Sequence, residues 1–345
     1  MIRSVTGLLL ATCPSWVVVM SVGRALLMLF RWGIFLLACV FLYVRLFGPK
    51  GILAAGGQER IIAGDHPWPT IVFSVVLMFG NWAVEAVKWR ALLCRVERLS
   101  FLRAFAATIA GTSVGLVTVN RTGEFIGRVL FLAPENRVAG SFASALGSMA
   151  QFVITLVFGG IGLVALTVME VPLPWPSGWV SGMLATLTAL VTGTALVLFL
   201  HPGLFRQLLL LLPFLRRFNE ASNILSRFER SDLVTVLLLS ATRYVIFGLQ
   251  YVLLLSAFGG GVDAFTSMAA IAVIYLIATM IPSVMLTELG VRGSVAVAVL
   301  GPMGVLGAVA LLATSCLWMI NVAAPACVGS LILLFARIRT KREQA

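Results

Sequence analysis

Long apolar segments, separated by short polar connections, occupy most of the chain. Six of these segments hold about 20 or more mostly apolar residues, the length an α-helix needs to cross a bilayer. They are residues 25–47, 69–93, 139–168, 179–200, 233–257 and 307–336. The pattern therefore predicts an all-α polytopic integral membrane protein with about six full spans.

Two further apolar regions, 101–132 and 264–300, are interrupted by polar and charged residues. Each is compatible with two short spans or with one helical hairpin that enters and leaves the membrane on the same side. Irregular backbone at membrane depth is tolerated only where protein or water surrounds it. Both regions are therefore candidate linings of a polar cavity.

The charge of each connection predicts the side of the membrane that it faces. Three connections are basic, with net charges of +4, +2 and +3: residues 88–103, 201–232 and 337–345. Three others carry a net charge of zero or −1: residues 48–67, 169–178 and 258–263. The positive-inside rule places the basic set, with the C-terminal tail, in the cytoplasm. This assignment requires both interrupted regions to return to the side they left.

The two interrupted regions also resemble each other. Each places a Glu four residues before an Arg, as Glu124 before Arg128 and Glu288 before Arg292. A spacing of four puts both side chains on one helical face. Each region lies between two full spans. The charge rule gives the first region and its flanking spans the opposite orientation to the second region and its flanking spans. The sequence therefore predicts two oppositely oriented re-entrant hairpins in an inverted repeat, with a substrate site near the midplane.

This pattern also predicts the organisation of the chain. We expect an N-terminal lead-in at 1–24 and a single transmembrane domain at 25–336, followed by a basic cytoplasmic tail at 337–345. Within the domain, the first repeat covers about 69–168 and the second about 233–336.

Charged and polar residues deep in apolar sequence are the candidates for substrate binding. They are Arg121, Thr122, Glu124, Arg128, Arg243, Thr287, Glu288 and Arg292. A charged side chain at the bilayer centre costs about 2.5–3.5 kcal/mol on insertion scales, so these residues require pairing, a water-filled cavity or a ligand. Either a functional cavity or a purely structural ion-pair lock meets that requirement.

Helix ends and arginines at these positions favour an anionic ligand. The half-helix N-termini near Thr122 and Thr287 would attract an anion such as a phosphate, and the arginines would add charge-assisted hydrogen bonds. Glu124 and Glu288 either hold the arginines in place, accept from a cationic head group or carry a proton. Arg243 either lines the same cavity or snorkels towards the cytoplasmic face.

Other polar residues inside the spans receive simpler interpretations. For Glu85 and Lys88 we expect a local pair at the membrane interface. For Gln151 and Asn321 we expect interhelical hydrogen bonds.

Composition narrows the classes of function. The chain is 60% hydrophobic and only 11% charged, whereas a soluble domain has about a quarter charged residues. Its net charge of +12 falls in short connections, so anionic lipid head groups explain it and nucleic acid does not. The five cysteines form no CxxC pair and the two histidines lie apart. We therefore expect no metal site, no cofactor and no catalytic constellation.

Two signatures resemble those of a known family. The first runs through Lys88-Trp89-Arg90, Leu99-Ser100-Phe101, Ala104-Phe105, Arg121-Thr122-Gly123-Glu124 and Arg128; the second through Ile281-Pro282-Ser283 and Leu289-Gly290-Val291. Together they resemble the lysylphosphatidylglycerol synthase transmembrane region, a flippase-like family that includes the membrane half of the multiple peptide resistance factor. In the second signature, Glu288 stands at a Gly-like position and Gly293 where the family usually has Glu.

The resemblance implies a domain that moves lipids or lipid-linked head groups between leaflets. We expect a lipid translocase, or flippase, in the cytoplasmic (inner) membrane that carries a phosphate-bearing lipid through a polar midplane cavity. Candidate substrates are anionic phospholipids, aminoacylated lipids and polyprenyl phosphates, and a homo-oligomer is left open. The alternatives are an integral membrane transferase acting on a lipid phosphate and a non-catalytic subunit of a lipid or glycan pathway.

Overall fold

The computed structural model describes residues 68–116, 118, 121–175, 178–281 and 285–335, and every regular element in these ranges is helical. The main helices are α1 (Trp68–Leu93), α2 (Phe101–Leu116), α3 (Gly123–Val129), α4 (Arg137–Val168), α5 (Gly178–Leu200), α6 (Pro202–Leu210), α7 (Arg230–Ala257), α8 (Ala264–Met280), α9 (Met285–Leu300), α10 (Gly307–Trp318) and α11 (Ala324–Phe335). A π-helical segment, Met319–Ala323, joins α10 to α11. Short helical turns are Pro134–Asn136, Pro213–Phe218, Asn219–Ser222, Asn223–Arg227 and Gly301–Met303.

Five helical stretches are long and apolar enough to cross a membrane. They are Trp68–Leu93, Pro134–Val168, Gly178–Leu200, Arg230–Ala257 and Gly307–Phe335. These stretches coincide with five of the six predicted spans and confirm the prediction of an all-α polytopic membrane protein. The sixth predicted span, 25–47, lies outside the described residues, as do the lead-in 1–24 and the tail 337–345.

Large apolar side chains cover the outside of these helices. Ile161, Leu187, Leu190 and Leu238 are all more than half exposed. Such a surface would associate in water, whereas in a bilayer it faces lipid tails. The apolar exterior therefore agrees with the predicted spans.

The first interrupted region folds into a helical hairpin. α3 packs antiparallel against α2, so closely that a Cβ added to Gly127 would lie 2.6 Å from the Cα of Gly111. At the open end, the Arg103 side chain donates to the Phe131 carbonyl over 2.6 Å. The two ends of the region thus lie side by side, as a hairpin requires.

The second interrupted region contains α8 and α9, which pack against each other, and α9 also packs on α10. α9 runs antiparallel to α10, because Gly293 lies against Leu311 and Gly307 against Val297. α2 and α8 contain 16 and 17 residues. At 1.5 Å per residue such helices are about 25 Å long, less than the roughly 30 Å of a hydrocarbon core. Their shortness favours the hairpin interpretation, and the re-entrant path through a bilayer stays a prediction.

The helices of the two predicted repeats pair in a reciprocal pattern. α1 runs antiparallel to α7, where Gln250 donates to the Ser74 carbonyl over 2.7 Å. α4 packs on α8, since a Cβ on Gly162 would lie 2.7 Å from the Ala269 carbonyl oxygen. α11 packs on α2, where the Ser113 hydroxyl donates to a backbone carbonyl of α11 over 2.6 Å. An inverted repeat would produce such pairings, and the repeat itself stays a prediction.

The end of α2 and the first turns of α9 meet at one apolar cluster. Leu116 at the end of α2 and Leu289 near the start of α9 are buried together with Trp318 and Val322. Because Val322 belongs to the π-helical segment, this irregular part of the last span also lies at the meeting point. The fold thus brings both regions to the same part of the molecule.

Candidate functional site

A polar cavity of about 360 Å³ lies among the helices of both predicted repeats. Its charged and polar lining comprises Glu85, Lys88, Arg121, Glu124, Arg128, Ser148, Gln151, Thr155, Arg243, Tyr244, Tyr275, Thr279 and Arg292. These side chains come from α1, α3, α4, α7, α8 and α9 and from the turn before α3. The cavity therefore collects most of the charged residues that the described apolar segments contain.

Glu85 of α1 is the centre of the charged cluster. Its Oε2 atom lies 2.7 Å from the Lys88 ammonium and 2.9 Å from an Nη atom of Arg243. Its Oε1 atom lies 2.7 Å from an Nη atom of Arg128. One carboxylate is thus shared by three basic groups, and the side chains of Glu85 and Lys88 are only 3% exposed.

The predicted pair in the first hairpin forms as expected. Arg128 donates to Glu124 over 3.0 Å, and Arg121 lies 2.6 Å from the other oxygen of the same carboxylate. Arg121 adopts a left-handed backbone with φ of 59°. That conformation costs a non-glycine residue about 1–3 kcal/mol, and such strained residues cluster at functional sites. It holds the Arg121 side chain at the turn that precedes α3.

The second predicted pair also forms. Arg292 donates to Glu288 over 2.7 Å, and the Glu288 side chain is 8% exposed. Arg292 lines the cavity together with Arg121 of the first region. The structure thus brings Arg292 of the second region to the same cavity as Glu124 and Arg128 of the first.

Arg243 lines the cavity, which decides between the two interpretations of this residue. Its Nε atom donates to Asn81 over 3.0 Å and its guanidinium lies 5.4 Å from the centre of the Trp82 ring. The cation–π contact and the bond to Glu85 hold the guanidinium inside the bundle. The structure therefore places this guanidinium among the helices of the bundle.

Aromatic side chains form another part of the lining. Tyr244 stacks on Phe158 with 4.7 Å between ring centres, and Tyr275 meets the edges of Tyr244 and Phe247 at 5.9 and 5.8 Å. The hydroxyls of Tyr244 and Tyr275 are buried and have no hydrogen-bond partner among the described residues. A buried hydroxyl without a partner is costly, so both are available to a ligand.

The local pair expected for Glu85 and Lys88 forms, at 2.7 Å, but it belongs to a larger cluster. Both side chains are buried, and Glu85 also binds Arg128 and Arg243. The only sequence signal was a Glu and a Lys three residues apart inside a span. That signal does not reveal partners on other helices.

The threonines and glutamine differ from expectation in other ways. Thr122 is exposed before α3 and does not line the cavity, and the Thr287 side chain lies outside the described residues. Gln151 lines the cavity, and its Oε1 atom has no partner among the described residues. Asn321 accepts a hydrogen bond from Asn81 over 3.1 Å, which confirms its predicted interhelical role.

The chemistry of this lining suits an oxygen-rich anion. Guanidinium and tyrosyl groups donate hydrogen bonds to phosphate or carboxylate oxygens. Within the described ranges, no three His, Cys, Asp or Glu side chains cluster as a metal site requires. The arrangement offers binding and charge compensation.

Comparison with known proteins matches most of the chain to a family model. A family model described as the lysylphosphatidylglycerol synthase TM region matches residues 33–329. No curated protein and no solved structure matches the chain. The matched range contains every charged residue of the cavity.

Proposed function

Because the chain belongs to the lysylphosphatidylglycerol synthase transmembrane-region family, we propose that it is a lipid translocase rather than an enzyme. Its cargo is a lipid with a phosphate-bearing head group, which crosses through the charged cavity while the acyl or prenyl tails stay in the bilayer. The observation that carries the proposal is a basic cavity enclosed by helices whose exteriors are apolar.

The cost of burying charge supports a transport role for this cavity. Each charged side chain at the bilayer centre costs about 2.5–3.5 kcal/mol on insertion scales. A purely structural lock would balance its charges, whereas three basic groups share the single carboxylate of Glu85. An anionic head group supplies the missing negative charge.

The ion pairs also suggest how the head group moves. A phosphate that enters the cavity competes with Glu85 and Glu124 for the guanidinium of Arg128, which both carboxylates bind. Exchange between carboxylate and phosphate leaves each arginine paired at every stage. The head group thereby passes the low-dielectric region without a fully unpaired charge on either partner.

The orientation follows from the charge of the connections. We propose that the protein lies in the cytoplasmic membrane with 88–103, 201–232 and the C-terminal tail in the cytoplasm. The first hairpin then opens to the cytoplasm and the second to the opposite side. Such opposed hairpins would give the cavity alternating access to the two leaflets.

Reconstitution in proteoliposomes tests the proposal. Movement of head-group-labelled phospholipids and polyprenyl phosphates is measured for wild type, Arg128→Gln and the matched control Arg95→Gln. Arg95 is an exposed residue that pairs with Glu229 and Asp232 away from the cavity. We expect Arg128→Gln to reduce transport at least about tenfold, the effect of one lost charge-assisted bond of roughly 1.5–3 kcal/mol.

Other outcomes would favour the alternative functions. If wild type moves none of these lipids but forms a modified lipid from a lipid phosphate, the protein is a transferase. If Arg128→Gln and Arg95→Gln transport lipid equally well, the charged cavity is a structural lock. Monodisperse size-exclusion profiles for both variants show that they are folded.

A further inference from the structure

The charged groups of the cavity do not balance. Its basic lining residues are Lys88, Arg121, Arg128, Arg243 and Arg292. Its carboxylates are Glu85 and Glu124, and Glu288 is added through its pair with Arg292. Counted in their ordinary charged forms, five basic and three acidic groups leave a net charge of +2. A ligand with two negative charges would neutralise this cluster.

The carboxylates of the lining are already occupied. Both oxygens of Glu85 and both oxygens of Glu124 lie within 3.0 Å of a basic side chain. An ammonium group on a ligand would have to displace one of these basic groups. The cavity therefore disfavours a cationic head group such as an aminoacylated one.

The polar atoms left without partners are mainly donors. They include the hydroxyls of Tyr244 and Tyr275, whose side chains are 4% and 9% exposed, and the Nε atom of Arg121. Buried donors cost free energy unless an acceptor reaches them. A phosphate with three free oxygens offers more acceptors than a phosphate diester with two.

The size of the cavity limits the rest of the head group. At about 360 Å³ it lies near the lower end of the range of small-molecule pockets, roughly 300–1,000 Å³. A lipid-linked oligosaccharide would exceed this space, whereas a phosphate with little attached fits within it.

From these observations, and resting on the translocase function above, we infer that the cavity recognises a lipid whose small head group is a phosphate monoester. A monoester carries about −1.5 to −2 charges near neutral pH, which matches the excess of +2. Phosphatidic acid and a polyprenyl monophosphate share this chemistry and differ in their tails. Lysylphosphatidylglycerol, the aminoacylated lipid named in the family description, instead has a cationic head group.

Binding to the purified full-length protein tests the inference without any transport step. The probes are phosphatidic acid, polyprenyl monophosphate, phosphatidylglycerol and lysylphosphatidylglycerol, each in the same detergent. We expect at least one monoester to bind about tenfold or more tightly than phosphatidylglycerol, with the lysylated lipid weakest. The ratio between the two monoesters identifies the tail that the protein prefers.

The pH dependence gives a second signature. The second ionisation of a phosphate monoester has a pKa near 6, whereas a diester has no ionisation in this range. Lowering the pH from about 7.5 to 5.5 should therefore reduce the preference for the monoester over phosphatidylglycerol several-fold. An unchanged ratio would contradict recognition of the dianion.

A charge-adding variant tests the role of the net charge. Gln151→Glu adds a carboxylate of nearly the same shape to the lining. It should reduce the preference for monoester over phosphatidylglycerol by about tenfold and strengthen binding of the lysylated lipid. Gln207→Glu, on an exposed position of α6, adds the same charge away from the cavity. It should change neither the preference for monoester nor the binding of the lysylated lipid.

These experiments distinguish a failure of the monoester inference from a failure of the translocase function. Equal affinity for monoester and diester, preference for the lysylated lipid, or no binding of any probe would overturn the inference. Selective binding of a monoester without movement in proteoliposomes would support the inference and remove the translocase function. Movement of all four lipids at equal rates would support the translocase function and overturn the inference.

Discussion

Asn81 and Asn321 are 240 positions apart in the chain, yet the amide of Asn81 donates to the side-chain oxygen of Asn321 over 3.1 Å. The oxygen of Asn81 accepts at the same time from Nε of Arg243 over 3.0 Å. Asn321 in turn donates to the Leu317 carbonyl over 3.3 Å. This chain of hydrogen bonds connects the π-helical segment of the last span to the charged cavity.

Removal of the Asn81 amide should destabilise the protein. The Asn81→Leu variant removes the hydrogen-bond partner of both Asn321 and Arg243. Leaving a buried polar group without its partner costs about 1–3 kcal/mol. The free energy of unfolding, measured by titration from mild detergent into dodecyl sulfate, should fall by that amount.

A double variant checks that the two asparagines act together. Asn81→Leu with Asn321→Leu should lose clearly less stability than the sum of the two single losses, because each single variant already loses the bond between the two asparagines. Strict additivity would mean that the observed bond contributes nothing.

Neutralising Glu85 should cost more than neutralising Glu124. Glu85→Gln leaves Lys88, Arg128 and Arg243 without their shared carboxylate, and breaking a buried pair costs about 3–5 kcal/mol. Glu124 is more exposed and binds two arginines, so its replacement by Gln should cost less. The same unfolding titration compares the two variants.

Removing a positive charge should partly restore the Glu85→Gln variant. Adding Lys88→Met to Glu85→Gln removes one uncompensated buried cation while keeping much of the volume of the side chain. A double variant no more stable than Glu85→Gln would show that the Lys88 charge is not what destabilises it.

The hairpin of α2 and α3 should not tolerate a methyl group at Gly127. The added Cβ would lie 2.6 Å from the Cα of Gly111, and backbone atoms at that contact cannot rotate away. We expect Gly127→Ala to lose about 1–3 kcal/mol of stability, the usual cost of overpacking. Gly193→Ala in α5, with nothing within 4 Å of the new Cβ, should be neutral or slightly stabilising. Equal stability of the two variants would contradict the close packing of this hairpin.

Asp263 should make stability depend on pH in the acid range. Its carboxylate accepts from Thr266 and from the backbone N–H of Phe265 at the start of α8, and these bonds lower its pKa below 3.8. The stabilisation is therefore present in full above the pKa of the unfolded chain and is lost as pH falls through the folded value.

Two substitutions at this helix start isolate the effect. Asp263→Ala should lower the melting temperature at pH 7, and its difference from wild type should shrink at acid pH. Asp263→Ser keeps a capping oxygen that does not titrate, so its melting temperature should show less of this acid dependence. Parallel pH profiles for Asp263→Ala and wild type would contradict the assignment.

The predictability of the site from sequence depended on how far apart the partners lie. Glu124 with Arg128 and Glu288 with Arg292 are one helical turn apart, so periodicity alone predicted both pairs. Two of the three partners of Glu85, Arg128 and Arg243, lie 43 and 158 residues away, on other helices. No local pattern contains that information, because it is fixed by how α1 packs on α3 and α7.

The same distinction holds for the fold. Apolar length predicted five spans at nearly their observed bounds, because lipid contact requires a continuous apolar exterior. The tyrosines of the lining were missed, since an aromatic residue within an apolar span has no sequence feature that separates a cavity wall from a core. Their position next to the charged cluster follows only from the packing of α7 on α8.

Glu85 and Arg243 are 158 positions apart in the chain, so they are also made at different times during synthesis. Helices leave the ribosome from the N-terminus onwards, so α1 and α3 are made before α7. In the folded bundle Arg243 binds a carboxylate that two other basic groups also bind. Insertion of α7 thus brings a further positive charge to this carboxylate. On the proposed chemistry, the head group of an anionic lipid would offset this charge.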